Sequence, residues 1–253
     1  MDLTGAVNFF NRETICCFTA DMDWSPEWAI QEMLEIFEKL EVPLTLFITH
    51  HSEIIKMRYG KRGKSRYVGL HPNFLPNSSH GGNYIEQIDF CQKLWPDANS
   101  FRSHTCFDNY LITKEFYARG FRYDSNLCLF LQPSCSPLHH CSGLIRFPIY
   151  WEDDVHGEKG LPFKIEATRK HLDLPGLKVF NFHPLNLTLN TPTSEYYLKH
   201  KFLYEKQDVD WRRYAFEGIG EGRFLEDLAS YFRKKDIRFL YLDDLFNKLS
   251  KLS

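Results

Sequence analysis

The sequence predicts an α/β protein, a single barrel of parallel strands wrapped by helices. Short β-branched and aromatic runs alternate with segments of helical periodicity, most of those runs end in polar, potentially reactive residues, and 253 residues suffice for one sizeable core. Apolar residues make up 43% of the chain and charged residues 25%, which excludes a disordered or fibrous class. One domain is expected over residues 1–253, since no repeat, low-complexity tract or linker divides the chain.

The elements follow in order. ETICCFTAD reads as a strand, and SPEWAIQEMLEIFEKL as the helix after it, with Ser25 as N-cap, Pro26 at the first helical position, and Ile30, Met33, Leu34, Phe37 and Leu40 on one face. PLTLFITHH, RYVGLHP, NSFRSHT and GFRYDSN each present a short apolar run, as do LKVFNFHP and IRFLYLDD later. Between them GGNYIEQIDFCQKL, TKEFYARG and EGRFLEDLASYFRKK carry helical spacing, and Gly120 stands where a helix C-cap glycine belongs. Residues 127–176 are loop-like and proline-containing, and no elements are assigned there.

Composition narrows the partners. The net charge of -2 and scattered basic residues leave no footprint for nucleic acid, and the one basic run, 56–66, reads as a solvated loop. No stretch is apolar enough to span a membrane, and the N-terminal residues lack a signal-peptide pattern, so a cytoplasmic protein is expected. Seven cysteines, odd in number and without a C-x-x-C pair, point to buried free thiols rather than disulfides or a zinc ribbon. The sequons at Asn77 and Asn186 are read as chance.

Asp21 and Asp23, His50 and His51, His71, Arg102 and His104, Asp124, His183 and Asp243 all fall at or just past the end of an expected strand. In a parallel barrel those ends share the face on which active sites are built, and carboxylates ringed with imidazoles there suggest a metal site. Alone, Asp21 or Asp23 could simply lead into the next helix, but the D-x-D pair would let one carboxylate bind a cation while its neighbour handles a proton. His71 and His183 each precede a proline at a strand end, and two such H-P dipeptides favour function over packing. Arg102, at the barrel rim, is placed to hold a carboxylate at two points. His139 and His140 read as solvated loop residues, and the acidic run at 151–154 as a solvated loop in which Trp151 could stack on a sugar ring.

These residues resemble the polysaccharide deacetylases of carbohydrate esterase family 4, in an order that covers most of the chain. TADMD, at 19–23, resembles the family's T-F-D-D-G motif; LHPNFLPNSSHG resembles its two-histidine motif; FRSHT resembles R-x-P-W; and FNFHP supplies a histidine on a late strand. HPNF, RSH and FHP are most similar to the divergent branch associated with bacterial O-antigen synthesis. The resemblance implies a distorted (β/α) barrel with about seven parallel strands. It also implies Asp21 as general base, Arg102 as its orienting partner and His183 as general acid, with one divalent cation on Asp23, His71 and His80. Zinc is the default, and cobalt, nickel or iron would suit the same donors. The family's second histidine comes four residues after the first, where this chain has Leu75; His80 is the next histidine and His104 its rival as third ligand.

The expected function is metal-assisted removal of an N-acetyl or related acyl group from an amino sugar, nucleotide-linked or lipid-linked, during surface polysaccharide assembly, with His104, Trp151 and Asp124 as substrate contacts. Two other readings are a non-catalytic carbohydrate-binding barrel and an amidohydrolase of small non-sugar amides. Oligomeric state is left open.

Overall fold

A computed structural model describes residues 3–61 and 63–251. The strands are β1 (Thr14–Asp21), β2 (Leu44–Ile48), β3 (Val68–Leu70), β4 (Ser100–Phe101), β5 (Tyr123–Asp124), β6 (Leu138–His139), β7 (Ile145–Arg146), β8 (Ile149–Glu152), β9 (Gly176–Phe182) and β10 (Arg238–Phe239). They form one 10-stranded sheet in the order β6-β7-β5-β4-β3-β2-β1-β9-β8, with β10 beside the start of β1. Among the described pairings only β6–β7 is antiparallel. The fold is thus the expected α/β class, a mostly parallel curled sheet covered by helices. It has more strands than the seven or so expected because residues 127–176, unassigned from the sequence, supply β6, β7 and β8.

Every expected strand forms, trimmed to its paired residues. The helix after β1 spans Glu27–Lys39 and buries Ala29, Ile30, Met33, Leu34 and Phe37, but its N-cap is Pro26 with no side-chain cap. Ser25 is one residue too early to cap it, and its hydroxyl is buried without a partner. Gly120 has φ +89, the left-handed C-cap conformation expected of it.

Side-chain alternation divides the sheet into two faces. Cys16, Phe18, Ala20, Leu44, Leu46, Ile48, Phe180 and Phe182 join the large core beneath the helices. Ile15, Cys17, Phe47, Leu177 and Val179 face the opposite way, into the barrel, where Phe10, Leu242, Leu245 and Leu249 close the bottom. On this inner face the lower half is therefore apolar. Continuing the same alternation upward gives Thr19 and Asp21 on β1, His71 after β3, Arg102 after β4, and Asn181 and His183 on and after β9. The inner face is crowded: a Cβ on Gly69 would come within 2.7 Å of the Phe47 ring and the Ser100 hydroxyl, so β2, β3 and β4 can approach only with glycine there.

Lys178 faces the helix-covered side, 1% exposed, donating to the His171 carbonyl (3.2 Å) and lying 4.2 Å from the Tyr150 ring centroid. Burial pulls its ammonium down to about 8. Below that pH the lysine is charged in both states and the folded chain bears the full desolvation cost; from about 8 to the unfolded value of about 10.4 the cost fades, because only the unfolded state keeps the proton. Lys178→Met is expected to raise stability by about 1–2 kcal/mol at pH 7. Denaturation of both proteins across pH 7–10.5 checks this, with the gap shrinking as pH rises.

Candidate active site

Asp23 is the hub of the site. Beyond β1 the chain turns sharply: Asp23 and Trp24 take φ of 41° and 56°, Ser25 N donates to Met22 O (2.7 Å), and Trp24 N donates to Thr49 Oγ1 (3.0 Å). Two successive non-glycine residues in the left-handed region cost backbone energy, and the turn aims the Asp23 carboxylate across the barrel mouth. Its Oδ1 lies 3.1 Å from His71 Nε2 and 3.1 Å from His104 Nδ1, and its Oδ2 lies 3.5 Å from His183 Nε2. Although burial opposes it, His104 and then His71 hold the Asp23 carboxyl well below its ordinary range, and Asp23 in turn raises the imidazole of His104.

His71 and His104 arrive from neighbouring strand ends. His71 N donates to Ile48 O (2.8 Å), continuing the β2–β3 pairing, and His104 N donates to Pro72 O (2.9 Å), which lays the loop after β4 against the loop after β3. The two rings meet edge to face at 5.6 Å. Asp23, His71 and His104 offer one oxygen and two nitrogens, all within 4.8 Å of one another. His71 Nδ1 is buried without a hydrogen-bond partner, and one carboxylate with two imidazoles is a donor set that suits zinc, cobalt, nickel or ferrous iron. The residues present therefore fit a divalent cation.

His80 does not join them. Its Nδ1 accepts from Asn73 N (3.1 Å) and lies 3.3 Å from Cys91 Sγ, and its ring stacks on Phe90 at 4.9 Å. Accepting at Nδ1 puts the ring proton on Nε2, so neither nitrogen has a lone pair free for a cation. Burial pulls its pKa down to about 4, keeping it neutral. Its place in the structure is to close the 72–80 loop, and the second imidazole nitrogen 3.1 Å from Asp23 Oδ1 is that of His104 rather than of His80.

Asp21 sits beside this cluster, 3% exposed. Arg102 Nη1 donates to Asp21 Oδ1 (3.0 Å) and Asn181 Nδ2 donates to Asp21 Oδ2 (2.9 Å). Arg102 is fully buried and fixed from all sides: Nε donates to Ser125 O (2.9 Å), Nη2 to Ser125 Oγ (2.7 Å), Nη1 also to Thr19 Oγ1 (3.0 Å) and to Asn181 Oδ1, and its guanidinium lies 4.5 Å from the Phe47 ring centroid. A carboxylate held by one guanidinium and one amide is locked in one orientation.

His183 stands opposite. Its Nδ1 meets Asp153 Oδ1 at 2.7 Å, its backbone N donates to Asp153 Oδ2 (2.7 Å), and its Nε2 points toward Asp23. Although burial opposes it, Asp153 and then Asp154 hold this imidazole charged well above the usual histidine range. Glu152 lies between the two halves, accepting from Asn181 Nδ2 (3.2 Å); burial pushes its carboxyl up to about 7 against the pull of His183, and Asp21 and Asp153 add to the rise.

Several expected residues lie elsewhere. Trp151 is fully buried on the helix side, donating to His156 Nδ1 (2.9 Å) and packed on Phe182 and Phe224, so no ring face is open to a sugar. Asp124 is fully buried and bound at both oxygens by Arg146 (2.7 and 3.0 Å), which leaves nothing to offer a substrate. Asp243 follows β10, which pairs with the start of β1, and it binds Arg122, Arg66 and Asn99 at the opposite end of the barrel. His51 is exposed beside Glu53, and His139 is exposed on β6. Asn181, Glu152 and Asp153 were not singled out from the sequence. A polar residue inside the apolar run LKVFNF was a signal for Asn181, whereas the acidic run at 151–154 gave none for Asp153.

The profile of the WbmS-like polysaccharide deacetylases matches residues 18–201, a span that holds the whole constellation. This chain belongs to that family. Among solved structures it is similar to WbmS of Bordetella bronchiseptica, described as a polysaccharide deacetylase involved in O-antigen biosynthesis, with 25% identity, a TM-score of 0.78, and 91% of this chain and 95% of that chain covered. The fold is also shared with the Bc1960 peptidoglycan N-acetylglucosamine deacetylase (13% identity, TM-score 0.52, 94% and 90% covered). A third fold match is the Xyl-CE4 domain of a multidomain xylanase from the hindgut metagenome of Trinervitermes trinervoides (12%, 0.50, 95% and 92%). No curated protein matches. Among the described residues no helix is long and apolar enough to cross a membrane.

Proposed function

We propose that this WbmS-like deacetylase hydrolyses the N-acetyl, or a related N-acyl, group of an amino sugar with the help of a divalent cation held by Asp23, His71 and His104. The observation that carries the reading is the split of the mouth into a carboxylate fixed in one orientation by Arg102 and Asn181, Asp21, and an imidazole held charged by Asp153, His183, on either side of a nitrogen and oxygen donor set. Hydrolysis of an amide needs both: a base to take a proton from water and an acid to give one to the departing amine.

A divalent cation, when bound, supplies Lewis acidity for the acyl carbonyl and lowers the pKa of a water. Asp21 would take the proton from the water that attacks the acyl carbon. Arg102 and Asn181 keep both Asp21 oxygens aimed, so that no barrier goes to reorienting the base. His183 gives the proton at Nε2 to the amine nitrogen while Asp153 steadies the ring through Nδ1. Glu152, at the rim between them, is placed to accept a hydrogen bond from a sugar hydroxyl.

The substrate proposed is an amino sugar carried on a nucleotide or a lipid during surface polysaccharide assembly. Purified protein, stripped by chelator and reloaded with zinc, cobalt, nickel or ferrous iron, is expected to release acetate from N-acetylamino sugars only when reloaded. Comparing nucleotide-linked, lipid-linked and polymeric substrates identifies the carrier. Release from long polymers alone would reject the carrier assignment, and release that persists without any metal would reject the mechanism.

A further inference from the structure

Behind His183 lies a second acid that faces away from the mouth. Glu221 opens the helix Glu221–Arg233, is 1% exposed, and lies outside residues 18–201 that the family profile matches. The chain enters this helix through Gly220, where any Cβ would collide with the Asn190 carbonyl, and the backbone N of Glu221 is fixed by Thr191 O (3.0 Å). The Glu221 side chain is thereby held against Asp153, to which it is hydrogen-bonded.

Two buried carboxyl groups in hydrogen-bond contact cannot both be ionised, so one of them carries a proton. The donors decide which. Asp153 accepts from the backbone N of His183 (2.7 Å), from His183 Nδ1 (2.7 Å) and from the backbone N of Asp154 (2.8 Å), all of which favour its charged form. Glu221 has no such support: among the described residues no N–H group is recorded donating to its carboxyl, and its Oε1 is buried without a partner. The charges that face it are Asp153 and Asp154, from the helix that follows β8, and His183, from the end of β9; Tyr197 lines the same small cavity. An ionised oxygen stranded there would cost far more than a neutral carbonyl oxygen.

We propose that Glu221 is a positioning residue: a neutral carboxylic acid whose O–H donates to Asp153 and so locks the Asp153–His183 pair from behind. Asn186 Nδ2 stands 3.5 Å from Asp153 Oδ2, and together with it the hydrogen bond from Glu221 fixes the carboxylate plane on which the His183 ring is aligned. An ionised Glu221 would instead repel Asp153 and loosen the ring. Burial and the Asp153 charge push the Glu221 carboxyl far above its ordinary range, in keeping with this state. The protonation state stands by itself, whereas its effect on rate rests on His183 being the proton donor proposed above.

The test has two arms. Infrared spectra of wild type and E221Q at pH 7 are expected to differ by one carboxylic acid C=O stretch present only in the wild type; identical spectra in that region overturn the proposal, whatever the activity. In kinetics, E221L is expected to lose kcat by about 10- to 100-fold with KM and metal content unchanged, while E221Q, whose amide N–H donates to Asp153, stays within about threefold of wild type. Equal impairment of both variants, or a loss confined to KM, overturns the positioning role. If E221L does not fold, the infrared comparison on E221Q still decides the protonation state and its kcat the role.

Discussion

Asp21→Asn is expected to lower kcat by about a hundred- to ten-thousand-fold while leaving metal content and KM near their wild-type values. Asparagine preserves the shape and can still accept from Arg102 at one atom, so the fold and the cation donors are undisturbed. What it cannot do is accept a proton at neutral pH. The amide also turns an N–H toward either Arg102 Nη1 or Asn181 Nδ2, the two donors that now hold Asp21 at 3.0 and 2.9 Å, so one of those hydrogen bonds is lost. Steady-state rates of acetate release together with elemental analysis check the prediction. Normal turnover by the variant would remove Asp21 from the role of base, and loss of metal would make it a ligand instead.

The second large effect separates two histidines that the sequence could not. His104→Ala is expected to lose nearly all bound metal and activity, because it removes one of two nitrogens that face Asp23 at 3.1 Å. His80→Ala is expected to keep its metal, since His80 spends Nδ1 on Asn73 and its ring on Phe90. The cost of that change is stability, roughly 1–3 kcal/mol for a lost buried hydrogen bond and packed ring. Metal content after extensive dialysis, with thermal unfolding of both variants, reads the two outcomes apart.

Much of this was legible in the chain. Strand-end positions of Asp21, Asp23, His71, Arg102 and His183 followed from hydrophobic runs ending in polar residues, and alternation along a strand turned those positions into a common inner face. What alternation could not give was anything after an interruption. The register of β8 against β9 slips between Ile149 and Trp151, which turns Trp151 under the helices although it stands beside an acidic run that reads as a surface loop. The same turn from strand into helix buries Asp153 against His183, so a residue read as solvated holds the proposed acid.

The choice between His80 and His104 had a different cause. Both lie in loops, and a loop's path depends on long-range hydrogen bonds that spacing does not encode. The bond from His104 N to Pro72 O brings a residue 33 positions from His71 into contact with it, while His80, only nine positions away, folds back on its own loop. Asp243 misled for a related reason: the strand that precedes it pairs with the start of β1 rather than its end, and no local pattern distinguishes a strand by its height in the barrel.

The central claim is that one divalent cation is held by Asp23, His71 and His104. Anomalous diffraction from crystals grown with zinc or cobalt measures it most directly. A single strong peak within bonding distance of those three side chains, with His80 clear of it, is the result this account predicts; a peak bonded to His80, or a mouth without a peak in protein that is active and metal-loaded, would contradict it.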